Sequence, residues 1–250
     1  MRNEERGSGT VPPGCRAVGR AASGKFIDAM SSSFSLADPP SLSDLRVFLG
    51  RSARVEDGAV RLLADDHVLA VYTPVLQPRG LLDRSSTVLG LRVFALGEPA
   101  EFDRIVPIRA LSDRLARLQW EPGGADGKPV VLPDGDDATA GPWAGVSPPR
   151  GGWTRREPVD PGFLERVARE GIDEIAAAVG SETGEQIVGR VRVSVWGRPL
   201  DGLPDVPAGA AFALFALGFL GADDPVALLE SGAWRRLTSR RGHVLVRTPG

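Results

Sequence analysis

Two short motifs in this sequence come close to catalytic or nucleotide-binding patterns without completing them. Residues 19–25 have the glycine and lysine spacing of a phosphate-binding loop, but Phe26 stands where a serine or threonine hydroxyl would hold magnesium. Residues 180–184 begin and end in glycine, as the serine elbow of a hydrolase does, yet Ser181 is one position too early. We therefore expect no catalytic residue at either motif, although a Ser-His-Asp arrangement assembled by the fold stays open.

Residues that could bind a metal are few and far apart in the sequence. His67 and His243 are the only histidines, and neither has a second histidine at helical or hairpin spacing. Cys15 is the only cysteine, which excludes an intrachain disulfide and a zinc site built on several thiolates. An acidic run lacks the other oxygen ligands of a calcium loop: Asp134, Asp136 and Asp137. The sequence therefore predicts neither a metal nor a cofactor.

The first candidate binding surface is a stretch in which two tryptophans bracket a proline pair and an arginine. Its candidate residues are Trp143, Arg150 and Trp153. Exposed indoles in a flexible loop would cost free energy, because a large apolar area would stay in water. We therefore expect the indoles to dock on the body of the protein, and the alternative is that they line a binding groove.

The second candidate surface is a basic hairpin near residue 240. Its candidate binding residues are Arg235, Arg236, Arg240 and Arg241, and no acidic residue follows Ala233. Such a ribbon could contact phosphates, or its arginines could pair with acidic residues elsewhere in the fold. Because the formal net charge of the chain is -2, we do not expect nucleic acid as a partner.

The elements that would position these residues begin after a polar amino-terminal segment. Residues 1–40 are dominated by Gly, Ser, Arg and Pro without a sustained apolar period, so we expect them to be disordered. Met30 is followed by a serine-rich stretch typical of an amino terminus. Our hypothesis is that Met30 is the true start of the protein.

Residues 41–120 have a mostly strand-like pattern. Residues 59–63 and 67–72 flank a short polar segment and predict a hairpin. Residues 87–96 predict a strand with Leu89, Leu91, Val93 and Ala95 on one face, and a second strand is expected at 104–109. A short helix follows, because leucines recur there at helical spacing: Leu111, Leu115 and Leu118.

The carboxyl-terminal half begins with a segment rich in Gly, Pro and Asp at residues 121–160, which predicts a long loop or an interdomain linker. Asp160 and Pro161 then form a strong helix start, with the carboxylate as N-cap and proline at the first helical position. The remaining elements expected in residues 161–250 are a strand at 186–196, an apolar helix at 207–220, a short helix at 225–230 and a hairpin of strands 234–239 and 243–247.

The longest uncharged run, residues 206–222, is at the lower limit of length for crossing a bilayer. It contains Pro207 and three glycines, and no basic cluster lies beside it, so we expect a buried core helix. The first 20 residues lack the apolar core of a signal peptide. We therefore expect a soluble cytoplasmic protein without a membrane partner.

Together these patterns predict an α+β fold, with an antiparallel strand-rich amino-terminal half and a helix-strand-helix-hairpin carboxyl-terminal half. Residues 41–120 and 161–250 are expected to form either one domain or two. The length of 250 residues allows both arrangements.

Several distinctive segments resemble an uncharacterised family of actinobacterial proteins. The segments that carry the resemblance are residues 143–153, 195–199, 207–212 and 239–247. Of the 30 basic residues only Lys25 and Lys128 are lysines, a bias typical of genomes with a high GC content. The resemblance implies a bacterial source and a cytoplasmic location, and it implies no activity, cofactor or catalytic residue.

The function that we expect from the sequence is a non-catalytic binding or assembly protein with an unidentified protein or small-molecule partner. The alternative is a hydrolase or transferase whose carboxylate and arginine site is assembled by the fold. A carboxyl group with a raised pKa in a pocket near residues 143–153 would favour the enzyme.

Overall fold

A single antiparallel sheet of six strands joins the two halves of the chain. The computed structural model describes residues 33–78, 83–118, 129–133, 141–179 and 184–249. Among these residues there are five α-helices and ten strands, which confirms the α+β class. The strand order in the main sheet is β2-β3-β10-β9-β8-β5, so the early strand β3 (Thr87–Pro107) lies beside the last strand of the chain, β10 (Gly242–Arg247).

The bounds of the elements are as follows. The strands are β1 (Ser33–Phe34), β2 (Ala59–Leu76), β3 (Thr87–Pro107), β4 (Val130–Val131), β5 (Thr154–Arg155), β6 (Pro199–Leu200), β7 (Leu203–Pro207), β8 (Ala227–Ser231), β9 (Trp234–Ser239) and β10 (Gly242–Arg247). The helices are α1 (Pro39–Val55), α2 (Ile108–Leu118), α3 (Pro161–Ala178), α4 (Glu185–Trp196) and α5 (Ala208–Ala216).

The two faces of the sheet support cores of different size. Alternate residues of β10 divide between them: Val244 and Val246 belong to a large cluster that includes residues of all five helices, and Leu245 belongs to a small cluster on the other face. We call this second face the outer face. It is covered in part by the segment that follows Gly141.

Local sequence explains where the two long helices begin. Asp38 accepts a hydrogen bond from the backbone N–H of Ser41 at 2.7 Å, and prolines occupy the first helical positions of α1. Asp160 does the same for α3 through Phe163 N–H, also at 2.7 Å, so the predicted helix start is confirmed. The predicted short helix after β3 and the terminal hairpin are confirmed as α2 and β9–β10.

Two of the strand and helix predictions are wrong. Residues 186–196 form helix α4, with Val195 and Trp196 buried at its end, so packing against the core overrides the strand preference of the β-branched residues. The short helix predicted at residues 225–230 is absent, because residues 227–230 pair with β9 as part of strand β8 and Val226 forms a bridge to Val159.

The hairpin predicted for residues 59–72 is also wrong, since these residues lie in the one continuous strand β2. The polar segment that suggested a turn contains a β-bulge, where the register with β3 shifts between Asp66 and Val68. Asp66 has a positive φ of 55°, and at the shift one residue of β2, His67, stands opposite four residues of β3, 96–99.

The prediction that residues 1–40 are disordered is wrong for residues 33–40. Strand β1 and the first residues of α1 lie within residues 33–40. Met30, Cys15 and the motif at residues 19–25 lie outside the described residues, as do Ser181 and the acidic run at Asp134, Asp136 and Asp137. Strand β4 and a 3₁₀ turn at Pro142–Gly145 lie within the segment predicted as a loop.

The uncharged run at residues 206–222 contains the helix α5, which is only nine residues long. Ala210, Ala211 and Leu214 are completely buried in it, so it is a core helix as expected. No described helix is both long enough and apolar enough to span a bilayer.

Candidate functional site: an arginine cleft between two helices

The tryptophan loop, residues 141–153, lies on the outer face of the sheet. Trp143 is only 3% exposed and belongs to the cluster that contains Leu89, Trp234 and Leu245. Docking on the sheet therefore accounts for this indole, which is not available to line an open groove.

Arg61 of β2 fixes the tryptophan loop through its guanidinium group. Its Nη1 donates to the carbonyl oxygen of Ala144 at 2.9 Å and to Ser147 Oγ at 3.2 Å. Its Nε and Nη2 donate to the two carboxylate oxygens of Asp103 at 2.7 and 2.6 Å. The hydrogen bond to Asp103 raises the pKa of Arg61, so this side chain is a permanent charged connector between strand and loop.

Trp153 forms the other end of the loop and packs against Arg236. The guanidinium carbon of Arg236 lies 4.6 Å from the centroid of the indole, in cation-π contact. The Nε1–H of Trp153 donates to the carbonyl oxygen of Pro149 at 3.0 Å. Arg150 is 87% exposed and lies 3.5 Å from Asp65, so it contributes a surface ion pair only.

The arginines of the terminal hairpin are largely committed to contacts within the protein. Arg235 donates to Asp205 at 2.5 Å, and Arg240 lies 3.5 Å from Asp224. Arg241 donates to the carbonyl oxygen of Leu220 at 3.1 Å, near the end of α5. Two of the four predicted binding arginines are therefore neutralised by carboxylates of the fold, and the other two contact a carbonyl oxygen and an indole.

Burial and neighbouring arginines shift two pKa values in this region. Burial on its own raises the pKa of Asp205, but the hydrogen bond and charge of Arg235 outweigh it, so the pKa of Asp205 is lowered. Burial also lowers the pKa of His243, and the charges of Arg236 and Arg92 act in the same direction. His243 lies 3.0 Å from Thr238 Oγ1 on the outer face, far in the sequence from His67.

The feature that the fold creates and leaves open is a cleft between α1 and α2. Its volume is about 510 Å³, and one residue of α2, Ser112, completes a wall formed by α1. We call it the arginine cleft. Its α1 residues recur at the spacing of a single helix face: Arg46, Val47, Gly50, Arg51 and Arg54.

The charge of the arginine cleft is of one sign. Three of its six lining residues are arginines, and none is a carboxylate. Arg51 donates to the carbonyl oxygen of Leu217 at 3.0 Å, which fixes its position at the end of α5. Arg46 and Arg54 make no hydrogen bond or ion pair within the part of the chain that the structure describes. Their donors are therefore free for a ligand.

A second cavity of about 260 Å³ lies between α3 and the end of α4. Its one cation, Arg198, donates to both oxygens of Glu174 at 2.7 and 2.6 Å, and this pairing lowers the pKa of Glu174. No group of three or more His, Cys, Asp or Glu side chains suited to a metal ion occurs among the described residues.

The sequence analysis did not single out the residues of the arginine cleft. Arg46, Arg51 and Arg54 are scattered among apolar residues, and their common side becomes evident only when the segment is drawn as a helix. That helical projection is the signal that could have found them.

Comparison with known protein families covers both halves of the chain. Residues 30–133 match a family model described as "Domain of unknown function (DUF8010)". Residues 148–250 match a second one, "Domain of unknown function (DUF8185)". Both halves thus match families of unknown function. The resemblance to an uncharacterised family is confirmed by these matches, and no curated protein matches the chain.

Solved structures with a similar chain trace include three bacterial DNA polymerase III beta subunits. The subunit from Pseudomonas aeruginosa has 14% identity and a TM-score of 0.44, with 84% of this chain and 63% of that chain covered. A putative subunit from Eubacterium rectale has 9% identity and a TM-score of 0.47, with 88% and 65% covered. The DnaN sliding clamp from Bartonella birtlesii has 14% identity and a TM-score of 0.46, with 87% and 64% covered. This chain therefore spans less than two thirds of each of those chains.

Proposed function

We propose that this protein is a non-catalytic binding protein that holds phosphate groups of its ligand in the arginine cleft. The observation that carries the proposal is the set of three arginines on one face of α1, two of them without a partner in the described structure. The proposal includes a cytoplasmic location, which rests on the sequence alone.

Phosphate suits this cleft for two physical reasons. A guanidinium group is permanently charged and presents a planar set of donors that matches phosphate oxygens. Arg46 and Arg54 are eight residues apart on one helix, which corresponds to about 12 Å along its axis. They can therefore reach two different phosphate groups, so a ligand with several phosphates is favoured over a single inorganic phosphate.

The chemistry available in the arginine cleft is binding rather than proton transfer. Its lining contains no carboxylate, histidine or cysteine that could act as a general base or nucleophile. Ser112 has a hydroxyl group, but none of the other lining residues can accept its proton. The enzyme interpretation therefore gains no support from this site.

Calorimetric titration with inorganic tripolyphosphate tests the proposal. We expect binding by the wild-type protein and at least a tenfold weaker affinity for Arg46→Glu and for Arg54→Glu, because each change removes a donor and adds a repelling charge. Arg190→Glu in α4 is the matched control, since it makes the same charge change at an exposed arginine outside the cleft.

The control separates site binding from the effect of net charge. Equal losses of affinity in Arg46→Glu and Arg190→Glu would show that tripolyphosphate responds only to net charge, and the proposal would then be wrong. Unchanged binding in both cleft variants would contradict it as well. Circular dichroism of each variant verifies that the fold is retained.

A further inference from the structure

A buried tryptophan at the end of α4 has a polar atom without a hydrogen-bond partner. Trp196 is 2% exposed, and its Nε1–H donates to no residue that the structure describes. A buried indole N–H usually finds an acceptor, because removing it from water without a new hydrogen bond costs free energy. Phe212 stacks on the ring with 4.4 Å between the ring centroids, so the indole is otherwise well packed. The N–H therefore requires an acceptor beyond these packing contacts.

The direction of this N–H follows from the way the indole lies against α3. A Cβ atom at Gly171 would overlap Cζ3 of Trp196 and lie 2.5 Å from its Cη2, so this edge of the six-membered ring abuts α3. In an indole, Nε1 is bonded to the carbon opposite Cζ3 in the six-membered ring. Nε1 of Trp196 therefore lies on the edge of the indole that faces away from α3.

A small cavity lies between α4 and the end of β2. One wall is the face of α4 that contains Gly189, Arg192 and Trp196, and the other wall includes Pro74–Leu76 of β2. Gly171 lines the larger cavity beside α3 and does not line this one. Because Nε1 faces away from Gly171, the N–H of Trp196 is directed to the smaller cavity.

The opposite wall of this cavity supplies oxygen atoms that accept hydrogen bonds. Glu56 lines the cavity and has a carboxylate. Strand β2 is the outermost strand of the main sheet, so some of its backbone carbonyl groups face away from β3. Arg192 already donates to the carbonyl oxygen of Val55 at 3.2 Å. A ligand in the cavity must therefore accept a hydrogen bond from the indole and can donate to oxygen atoms across from it.

We propose that this cavity binds one water molecule, which accepts the hydrogen bond of Trp196 and connects α4 to the end of β2. The cavity volume is about 20 Å³. One water molecule needs roughly 10–15 Å³, so the volume suits a single water rather than a larger ligand. Water has a lone pair for the indole and two O–H groups for the opposite wall, whereas a metal ion has no lone pair to offer. The proposal is independent of the arginine cleft, since the two cavities have no lining residue in common.

Nuclear magnetic resonance of the whole chain tests the proposal. The indole proton of Trp196, assigned by its loss in Trp196→Phe, should exchange magnetisation with a water molecule that stays bound far longer than surface water. Laboratory-frame and rotating-frame effects should then have opposite signs. Trp153 is the control indole, because its N–H donates to the carbonyl oxygen of Pro149 at 3.0 Å and should show no such effect.

Two variants separate the hydrogen bond from the packing of the ring. Trp196→Phe retains an aromatic ring and removes the N–H, so its crystal structure should lack the water that the wild-type crystal structure shows. Phe212→Leu removes the ring stacked on Trp196 and leaves the N–H in place, so the water signal should remain. The absence of a bound-water signal at Trp196 in the wild-type protein would overturn the proposal. A water at full occupancy in Trp196→Phe would overturn it as well, because the site would not depend on the indole.

Discussion

At the scale of single residues, arginine performs distinct tasks in this protein according to its neighbours. Arg61 connects a strand to the tryptophan loop, Arg235 pairs with an acidic residue, and Arg236 packs on an indole. Arg46 and Arg54 line the arginine cleft and have no hydrogen-bond or ion-pair partner among the residues that the structure describes. Composition alone therefore could not identify the binding residues, because the same residue type is structural at some positions and available at others.

The contacts of Arg61 predict a loss of stability when its side chain is removed. Its side chain is 13% exposed, and it donates to the tryptophan loop and to Asp103. We expect Arg61→Ala to lower the free energy of unfolding by about 1–3 kcal/mol, because the carbonyl of Ala144 loses its donor. Urea denaturation measures the change.

Arg150→Ala is the matched control for this prediction, since Arg150 belongs to the same loop and makes only an exposed ion pair. We expect it to cost less than about 0.5 kcal/mol. Equal effects of the two changes would show that the guanidinium of Arg61 does not stabilise the loop.

At the scale of elements, α3 and α4 meet where a glycine makes room for a tryptophan. Gly171 lies inside α3, and a Cβ atom there would lie 2.5 Å from Cη2 of Trp196 at the end of α4. Close approach at this position explains why a residue that weakens helices is present in a helix interior. It also fixes how α4 packs, which the sequence pattern of residues 186–196 did not reveal.

Gly171→Ala and Gly50→Ala should have opposite effects on stability. An alanine at 171 overlaps the indole and should lower the free energy of unfolding by about 1–3 kcal/mol. An alanine at 50 meets nothing within 4 Å and should raise the free energy of unfolding by about 0.5–1 kcal/mol, because alanine is the better helix former. Urea denaturation of both variants checks the pair, and a stabilised Gly171→Ala protein would contradict the packing described for α3 and α4.

The sequence predicts a helix or strand correctly where residues close together in the chain determine it. Asp160 and Pro161 define the start of α3 by local capping, and the leucines of α2 define a buried helix face, so both were predicted. Residues 186–196 alternate like a strand but form a helix because Trp196 packs at Gly171, and a contact between distant residues has no local signal. The arginine cleft depends likewise on α1 lying beside α2.

At the scale of the whole molecule, the main sheet unites segments that match separate family models. Residues 87–91 of β3 pair with residues 243–247 of β10, and Leu89 and Val246 are both buried. We infer that residues 41–120 and 161–250 act as one folding unit, in agreement with one of the two arrangements that the sequence left open.

Separate production of residues 30–140 and 141–250 tests this inference. We expect neither fragment to unfold cooperatively on heating, because each exposes a strand edge and the apolar residues beside it. Mixing the fragments should restore a cooperative transition, measured by circular dichroism. A sharp transition in either fragment alone would show that the shared sheet is not required for folding.

The position of β10 in the sheet has a consequence for synthesis on the ribosome. Strand β3 ends at Pro107, and its neighbour β10 begins only at Gly242, so the early hairpin emerges with one edge unsatisfied while residues 108–241 are still being translated. At about 5–20 residues translated per second, that interval is on the order of ten seconds. Nascent chains should therefore be vulnerable to edge-to-edge aggregation, and dependent on chaperones, until the last strand pairs with β3. Rare codons that follow the codons for β3 would prolong this interval, so they should reduce the yield of soluble protein more than rare codons that precede them.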